Sequence, residues 1–332
     1  MPSSSFGVAF AGAGVVAELH HRALVANGEA KLVGLFDPDH KLAAGRSGEW
    51  GVPAYPDLDE LVNSPGVDAV FVLSPSHSHE DVAAKALSAG KHVLVEKPVA
   101  SAPGCAHLIE MAENCGLVCM PGHNYAYQPE FGRLLRMARR DELGEVRAMW
   151  VVYVLKHEEE LAARYSGVLE EVMVHHSYLT YAMLGRPARI YAGRADPGWK
   201  KLADDDQAWM VWEYEPRTVA QLFASFAMDD DTSDPWTFTV KVLGTGGGAT
   251  YSWRSATLAR RLSGSHRFPL PSYEESYEHE LQAFLKAARD GDVAAIVSPM
   301  EHALAVAELM SGLDRVTSGD GGRPVSGLLD LS

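Results

Sequence analysis

Cysteine is scarce in this chain of 332 residues, with only Cys105, Cys115 and Cys119. So few, and an odd number, build no disulfide framework and suit reduced thiols. Cys115 and Cys119 have a spacing that some metal sites use. Gly116 between them reads as a helix stop with Cys119 on the next strand, so small buried hydrophobes are expected and no metal. Positive charge is also short. Against 44 acidic residues stand 29 Lys and Arg, a formal net charge of −15, which argues against nucleic acid or an anionic membrane surface as partner. No apolar run reaches the ~18 residues that a membrane span needs. The start, Met1-Pro-Ser-Ser-Ser-Phe6, has neither the basic nor the long apolar region of a signal peptide, and a cytoplasmic protein is expected.

Internal repeats and low-complexity linkers are missing too, while the length exceeds that of an ordinary single core. Two domains, packed against each other to leave a cleft, are the expectation. Phe6 to Ala11 is a short apolar run ending in Gly12-Ala-Gly14-Val-Val-Ala17, after which Val16, Leu19 and Ala23 recur at helical spacing. A strand passing through glycines into a helix is what a dinucleotide fingerprint requires. Gly12 permits the tight turn, Gly14 lets backbone approach a pyrophosphate, and Ala17 lets the helix pack on the strand. The phosphates then rest on backbone N–H groups of the Gly12, Gly14, Val15 and Val16 segment. A plain strand-to-helix turn is the alternative. Lys31 to Phe36 reads as a second strand, and Asp37 follows it 20 residues after Ala17. An acid there bonds ribose hydroxyls and repels the extra phosphate of NADP, so NAD is expected ahead of NADP. Asp37-Pro-Asp39 is also good turn chemistry.

Strand and helix patterns keep alternating. Val52 to Tyr55 is a candidate third strand, Leu58 to Asn63 a short helix, and Val67 to Leu73 a near-continuous apolar run of the kind buried on both faces. Ser78 and Asp81 have capping-box spacing. His92 to Val95 and Leu117 to Met120 continue the strands. Residues 1–122 thus predict a Rossmann-type, doubly wound parallel sheet. In 123–332 the pattern becomes long and alternating, as in Gln207 to Tyr214, Thr218 to Phe226 and Thr237 to Leu243. An α/β domain with an open, mainly antiparallel sheet follows. Gly244 to Gly248 precedes no helix pattern and reads as a turn between strands. Two helices close the chain, one stopped by Gly291 and one opened by Ser298-Pro-Met-Glu301.

Three stretches carry a resemblance that covers nearly the whole chain: Gly12-x-Gly-x-x-Ala-x-x-His20, Ser74-Pro-Ser-His-Ser-His79-Glu80 and Ala89-Gly-Lys-His-Val-Leu-Val-Glu-Lys-Pro98. Together they resemble the Gfo/Idh/MocA oxidoreductases, a family that includes glucose–fructose oxidoreductase and inositol 2-dehydrogenase. The resemblance implies an NAD(P)-dependent oxidoreductase that moves a hydride between nicotinamide and a hydroxyl or carbonyl carbon of a sugar, polyol or related molecule. The alternative is a lyase, hydrolase or epimerase that uses tightly bound NAD for transient oxidation. Lys97 ends a parallel strand at the carboxyl edge where such sheets bind ligands, and its ammonium suits stabilising alkoxide character. The resemblance makes it catalytic and adjacent to the cofactor. It also places Glu96, Asn124 and the loop of Ser74, Ser76 and His79 along the cofactor, although His77 and His79 on their own have the look of a metal pair.

The family's aspartate-x-x-x-histidine pair falls on Glu171 and His175. At i and i+4 the two share a helical face, with His175 suited to proton transfer and Glu171 to tuning it. Glu171 for aspartate, Met173 for glycine and Tyr178 for a second acid are departures that imply a bulkier, less acidic pocket. His176 is a further candidate that is more often packed. The Tyr153 to Tyr165 segment, with Lys156, His157 and Arg164, is expected to line the mouth of the cleft, and Glu158 to Glu160 to be a solvated face. The strands holding Trp209, Trp212 and Phe223, together with the family's habit, imply a homodimer or homotetramer.

Overall fold

The computed structural model describes residues 5–140, 142–156, 167–195, 205–228, 236–252, 255–260, 264–269, 273–318 and 326–331, with 255–260 and 264–269 as backbone alone. His157, Glu158 to Glu160 and Arg164 lie outside the described residues.

Apolar runs bounded by glycines and caps make the first sheet. The chain forms β1 (Phe6–Ala11), α1 (Val15–Asn27), β2 (Ala30–Phe36), α2 (His40–Trp50), α3 (Leu58–Val62), β3 (Ala69–Val72), α4 (His79–Ser88), β4 (His92–Glu96), α5 (Ala102–Cys115) and β5 (Cys119–Gly122). The strands pair in parallel in the order β2-β1-β3-β4-β5. The centres of β1, β3, β4 and β5 are buried on both faces, which is why those strands read as apolar runs, while β2 at the edge is half-buried. Three details differ from the sequence reading. Helix α2 buries only Ala43, so its pattern was faint, and Asp39 caps it by accepting from the N–H groups of Lys41 and Leu42. Val52 to Tyr55 contributes a single bridge, Ala54 to Leu35, rather than a strand. Ser78 caps nothing, because its hydroxyl is taken by Pro75 O and Ser74 Oγ in a 3-10 turn before α4.

The second sheet follows α6 (Pro129–Arg139). Its elements are β6 (Val146–Val154), α7 (Val168–Glu171), α8 (Met173–Leu184), β7 (Arg189–Ala195), β8 (Gln207–Tyr214), β9 (Thr218–Ser225), β10 (Thr237–Gly244), β11 (Gly247–Ser252), β12 (Ser255–Arg260) and β13 (Gly264–Pro269). The chain then makes α9 (Glu275–Asp290), α10 (Met300–Thr317) and β14 (Ser326–Asp330). Among the described residues the order is β13-β12-β11-β10-β6-β9-β8-β7-β14, antiparallel except for β6 beside β9. Alternation sets its two faces. Met149, Val151, Met210, Trp212, Leu222, Phe238 and Val240 are buried on one, while Trp209 and Tyr191 are exposed on the other. Trp212, grouped with Trp209 and Phe223 in the reading of self-association, is three residues from Trp209 and therefore faces the opposite way, into the core. The Gly244–Gly248 stretch holds the hairpin turn between β10 and β11, with Thr245 and Gly246 between the strands.

The chain divides into two compact units that are not contiguous: Met1–Tyr127 with Tyr273–Ala307, and Gln128–Ser272 with Glu308–Ser332. A split at 122/123 assigns α9 to the second domain, yet α9 packs on α1 and on the 3-10 turn Asn124–Tyr127. Its apolar face explains the return, since Phe284 meets Phe71 of β3 edge-on at 5.2 Å. Cys105 and Cys119 are buried in the first unit, whereas Cys115 is exposed. No helix among the described residues is long and apolar enough to cross a membrane.

Candidate active site

The turn after β1 is shaped by contact as much as by spacing. Gly12 has φ +116°, and a Cβ on it would lie 2.5 Å from the Leu73 carbonyl carbon, so the backbone at the ends of β1 and β3 meets there. Gly14 precedes α1 with no side-chain cap, a Cβ on it would meet open space, and Val15 is 75% exposed. The first N–H groups of α1 are therefore presented outward and uncapped, an anion cradle by geometry and by helix dipole. Ala17 is fully buried beneath them. The half-buried Asp37 accepts from the N–H of Ala13 at 2.8 Å and from that of Asp39 at 2.9 Å, which ties the tip of β2 to the glycine turn. Each carboxylate oxygen keeps a second lone pair for a ribose hydroxyl. These residues fit a dinucleotide: Gly12, Gly14, Val15 and Val16 could hold its phosphates and Asp37 its ribose.

Lys97 stands half-buried just past the end of β4, followed by a cis bond to Pro98. Glu96 is buried, its Oε1 lying 3.0 Å from His20 Nε2 and its Oε2 accepting the Lys97 N–H at 3.1 Å. Ser74 Oγ lies 2.7 Å from Ser78 Oγ, and Ser76 is exposed on the same loop. His79 does not present a ring nitrogen to a cofactor. It is 1% exposed, with Nδ1 2.8 Å from Pro98 O and Nε2 2.7 Å from Ser74 O. Asn124 is also buried, its amide donating to Ser276 Oγ of α9 at 3.0 Å.

Around Glu96 lies a polar cluster that spacing did not indicate. Tyr273 and Tyr277 share a 3.0 Å hydroxyl contact. Burial, the largest effect, pushes Tyr273 up to about 12 and holds Tyr277 well above 10, so both stay protonated. Glu280 is fully buried, and its carboxyl is held well above 4.5, by burial first and the Glu96 carboxylate second. His123 is pushed down to about 3 by burial, then by His302 and Lys97, and its Nδ1 lies 2.8 Å from Ser298 Oγ. Ser298 thus serves two histidines, His123 and His302, at the place where a helix cap was expected. His20, which meets Glu96, had a sequence signal as the last residue of the glycine motif, and Ser298 had one as a helix cap; the tyrosines, Glu280, His123 and His302 had none as members of this cluster.

Glu171 and His175 stand in the second unit, and they do not share one uninterrupted helix. Val172 breaks it at φ −111°, ψ −43°, leaving Glu171 at the end of α7 and His175 in the first turn of α8, with the His175 N–H donating to Val172 O at 2.9 Å. The β-branched valine row Val168, Val172, Val174 favours such a break. Asp205 anchors the entry: its Oδ1 accepts the Leu169 N–H at 2.9 Å and its carbonyl accepts the Val168 N–H. His175 Nδ1 lies 2.7 Å from Tyr178 Oη, both side chains buried. Met173 is buried as well. His176 is packed, 0% exposed against Phe238, and burial pushes it down to about 3, a neutral core histidine. No group of three metal-ligating side chains occurs among the described residues.

A family profile for GFO_IDH_MocA, described as an oxidoreductase family with an NAD-binding Rossmann fold, matches residues 6–123. The profile of the GFO/IDH/MocA C-terminal domain matches residues 131–250, and the two together span more than half of the chain. The scyllo-inositol 2-dehydrogenase (NAD(+)) of Bacillus subtilis (strain 168) is 25% identical over 315 residues, covering 89% of this chain and 88% of that protein. Two solved structures superpose along almost the full length. An oxidoreductase from Agrobacterium radiobacter in complex with NAD+, L-tartaric acid and magnesium has a TM-score of 0.86 at 17% identity, covering 98% of each chain. An inositol dehydrogenase homolog from Azotobacter vinelandii, complexed with NADH and myo-inositol, has a TM-score of 0.84 at 19% identity, covering 99% of this chain and 98% of that one. At those identities the two structures speak for the fold.

Proposed function

The chain belongs to the Gfo/Idh/MocA oxidoreductase family, and on that premise we propose that it is an NAD-dependent dehydrogenase or reductase of a sugar, polyol or related small molecule. The observation that carries the reading is the shared carboxyl edge of one sheet. The glycine turn ends β1, Lys97 follows β4, and only β3 lies between those strands. Open parallel sheets bind ligands along that edge. The names of the relatives, among them scyllo-inositol 2-dehydrogenase and D-xylose dehydrogenase, supply the substrate class.

When bound, the nicotinamide supplies two-electron oxidation and reduction. In our reading the Lys97 ammonium donates to the substrate oxygen and favours its alkoxide character. His175 takes or returns the substrate proton at Nε2 while Nδ1 is held by Tyr178. Glu171 adjusts that histidine. Asp37 favours NAD over NADP, since a fixed carboxylate repels a 2′-phosphate. The open sheet face with Trp209, Tyr191 and Phe223 serves self-association into a dimer or tetramer.

The test is turnover of a panel of sugars and polyols with NAD, followed by nucleotide absorbance. Lys97→Ala is expected to lower turnover by about 10²–10³ with the protein still folded. Near-normal turnover in that variant would refute the role of Lys97. Turnover by the purified protein without added NAD would move the reading to transient oxidation by a retained cofactor.

A further inference from the structure

We propose that His20 and His79 are positioning residues for Lys97, each gripping one of its two chain neighbours; this rests on the role for Lys97 proposed above. The ladder between β4 and β5 ends at Glu96 opposite Gly122, so Lys97 and Pro98 lie just past the last paired residue. Two imidazoles, each 1% exposed, bond to the residues on either side of Lys97.

His20 grips from the N-terminal side. Its Nε2 lies 3.0 Å from Glu96 Oε1, and the other Glu96 oxygen takes the Lys97 N–H at 3.1 Å, so the carboxylate links the ring to the backbone of the lysine. The ring is fixed by edge-on contacts with Tyr277 at 5.0 Å and Phe71 at 5.4 Å. A carboxylate bonded to a ring N–H and a backbone N–H has little freedom to turn. His20 also belongs to α1, whose N-terminus forms the phosphate cradle, so a single helix joins the nucleotide end of the site to the lysine.

His79 grips from the C-terminal side. Its Nδ1 meets Pro98 O at 2.8 Å and its Nε2 meets Ser74 O at 2.7 Å, which spans from the loop after β3 to the residue after Lys97. Carbonyl oxygens only accept, so each contact needs a ring N–H; a singly protonated imidazole serves one at a time and an imidazolium both. An apolar ring of the same size would fill either space, so packing alone does not call for these nitrogens. Their partners are the residues immediately before and after Lys97.

The test uses the full chain. His20→Phe and His79→Phe keep ring bulk and remove the N–H groups, while His20→Gln keeps an amide donor for Glu96. Folding is checked by circular dichroism, then kcat and KM for NAD are measured. On the cofactor-free protein, the acetylation rate of Lys97 by acetic anhydride is read by peptide mass spectrometry against the exposed Lys31 and Lys41. The expected result for both Phe variants is a kcat about tenfold lower with KM for NAD within about twofold, as for a displaced reacting group. Lys97 acetylation is expected to change by about threefold or more, with Lys31 and Lys41 unchanged. His20→Gln should restore both readouts, and His20→Phe should add nothing to Glu96→Gln, because the two act through one link.

A folded His20→Phe with wild-type kcat and wild-type Lys97 acetylation overturns the proposal. So does additivity with Glu96→Gln. If His79→Phe fails to fold, the His20 and Glu96 set decides the matter. If the wild type turns over no sugar or polyol, the functional reading fails, and the acetylation arm, which needs no substrate, still decides this one.

Discussion

Glu280 offers a quantitative test of the buried cluster beneath Lys97. Its side chain has no exposed surface, and neither carboxyl oxygen makes a well-formed hydrogen bond among the described residues. The nearby N–H of His123 already donates to Pro121 O at 2.9 Å. Burial and the Glu96 carboxylate raise its pKa well above 4.5, so the folded protein holds Glu280 as a neutral acid. In the unfolded chain the same group loses its proton near 4.5. Between these two values the folded state binds a proton that the unfolded state has released. The contribution to stability is fully present below pH 4.5 and is lost as pH rises through the window, by about 1.4 kcal/mol per pH unit. Glu280→Gln keeps the shape and the neutral charge and removes the titration. Urea unfolding of both proteins at pH 5, 6, 7 and 8 should show the stability difference moving in favour of the Gln variant by about 1.4 kcal/mol per pH unit, until the folded pKa is passed. Other titrating groups are common to both proteins and cancel in the difference. Parallel curves from pH 5 to 8 would mean that Glu280 ionises normally in the fold, and the reasoning would be refuted.

Two further predictions concern the cradle and the open sheet. Gly14→Ala adds a Cβ into open space, so its thermal midpoint should match wild type while its affinity for NAD, read by nucleotide fluorescence, falls. Gly12→Ala meets the Leu73 carbonyl at 2.5 Å and a positive φ, and should instead lose about 1–3 kcal/mol of stability in urea. Equal stability losses in the two variants would contradict the division of labour between the glycines. By light scattering the protein should be a dimer or larger, and Phe223→Asp, on the open face opposite Trp209, should shift it toward monomer. A wild-type monomer would remove that proposal.

What was legible in the sequence was local. Gly12, Gly14 and Ala17 announce a strand turning into a helix, Asp37 falls at the tip of the next strand, and Lys97 ends a run that reads as a strand. In each case the chemistry depends on residues a few positions apart along one element, and spacing carries that directly. Even the opposed faces of Trp209 and Trp212 follow from their separation of three along a strand. Interactions between distant segments were not legible. His20 reaches Glu96 across 76 residues and Asn124 reaches Ser276 across 152, because β1 and β4 flank β3 and α9 returns to α1.

The same division separates the two halves of the candidate chemistry. The residues near Lys97 could be named from motif and position, down to the glutamate beside it. Which of them turn inward was decided by the tertiary structure. His79 and Asn124 look alike in sequence to groups that touch a cofactor, yet both bond inside the fold, His79 to Pro98 O and Ser74 O and Asn124 to Ser276 Oγ. The identity of a polar side chain states what it can bond to. Its partner is set by which strands the sheet places side by side, and that information lies in no single stretch of chain.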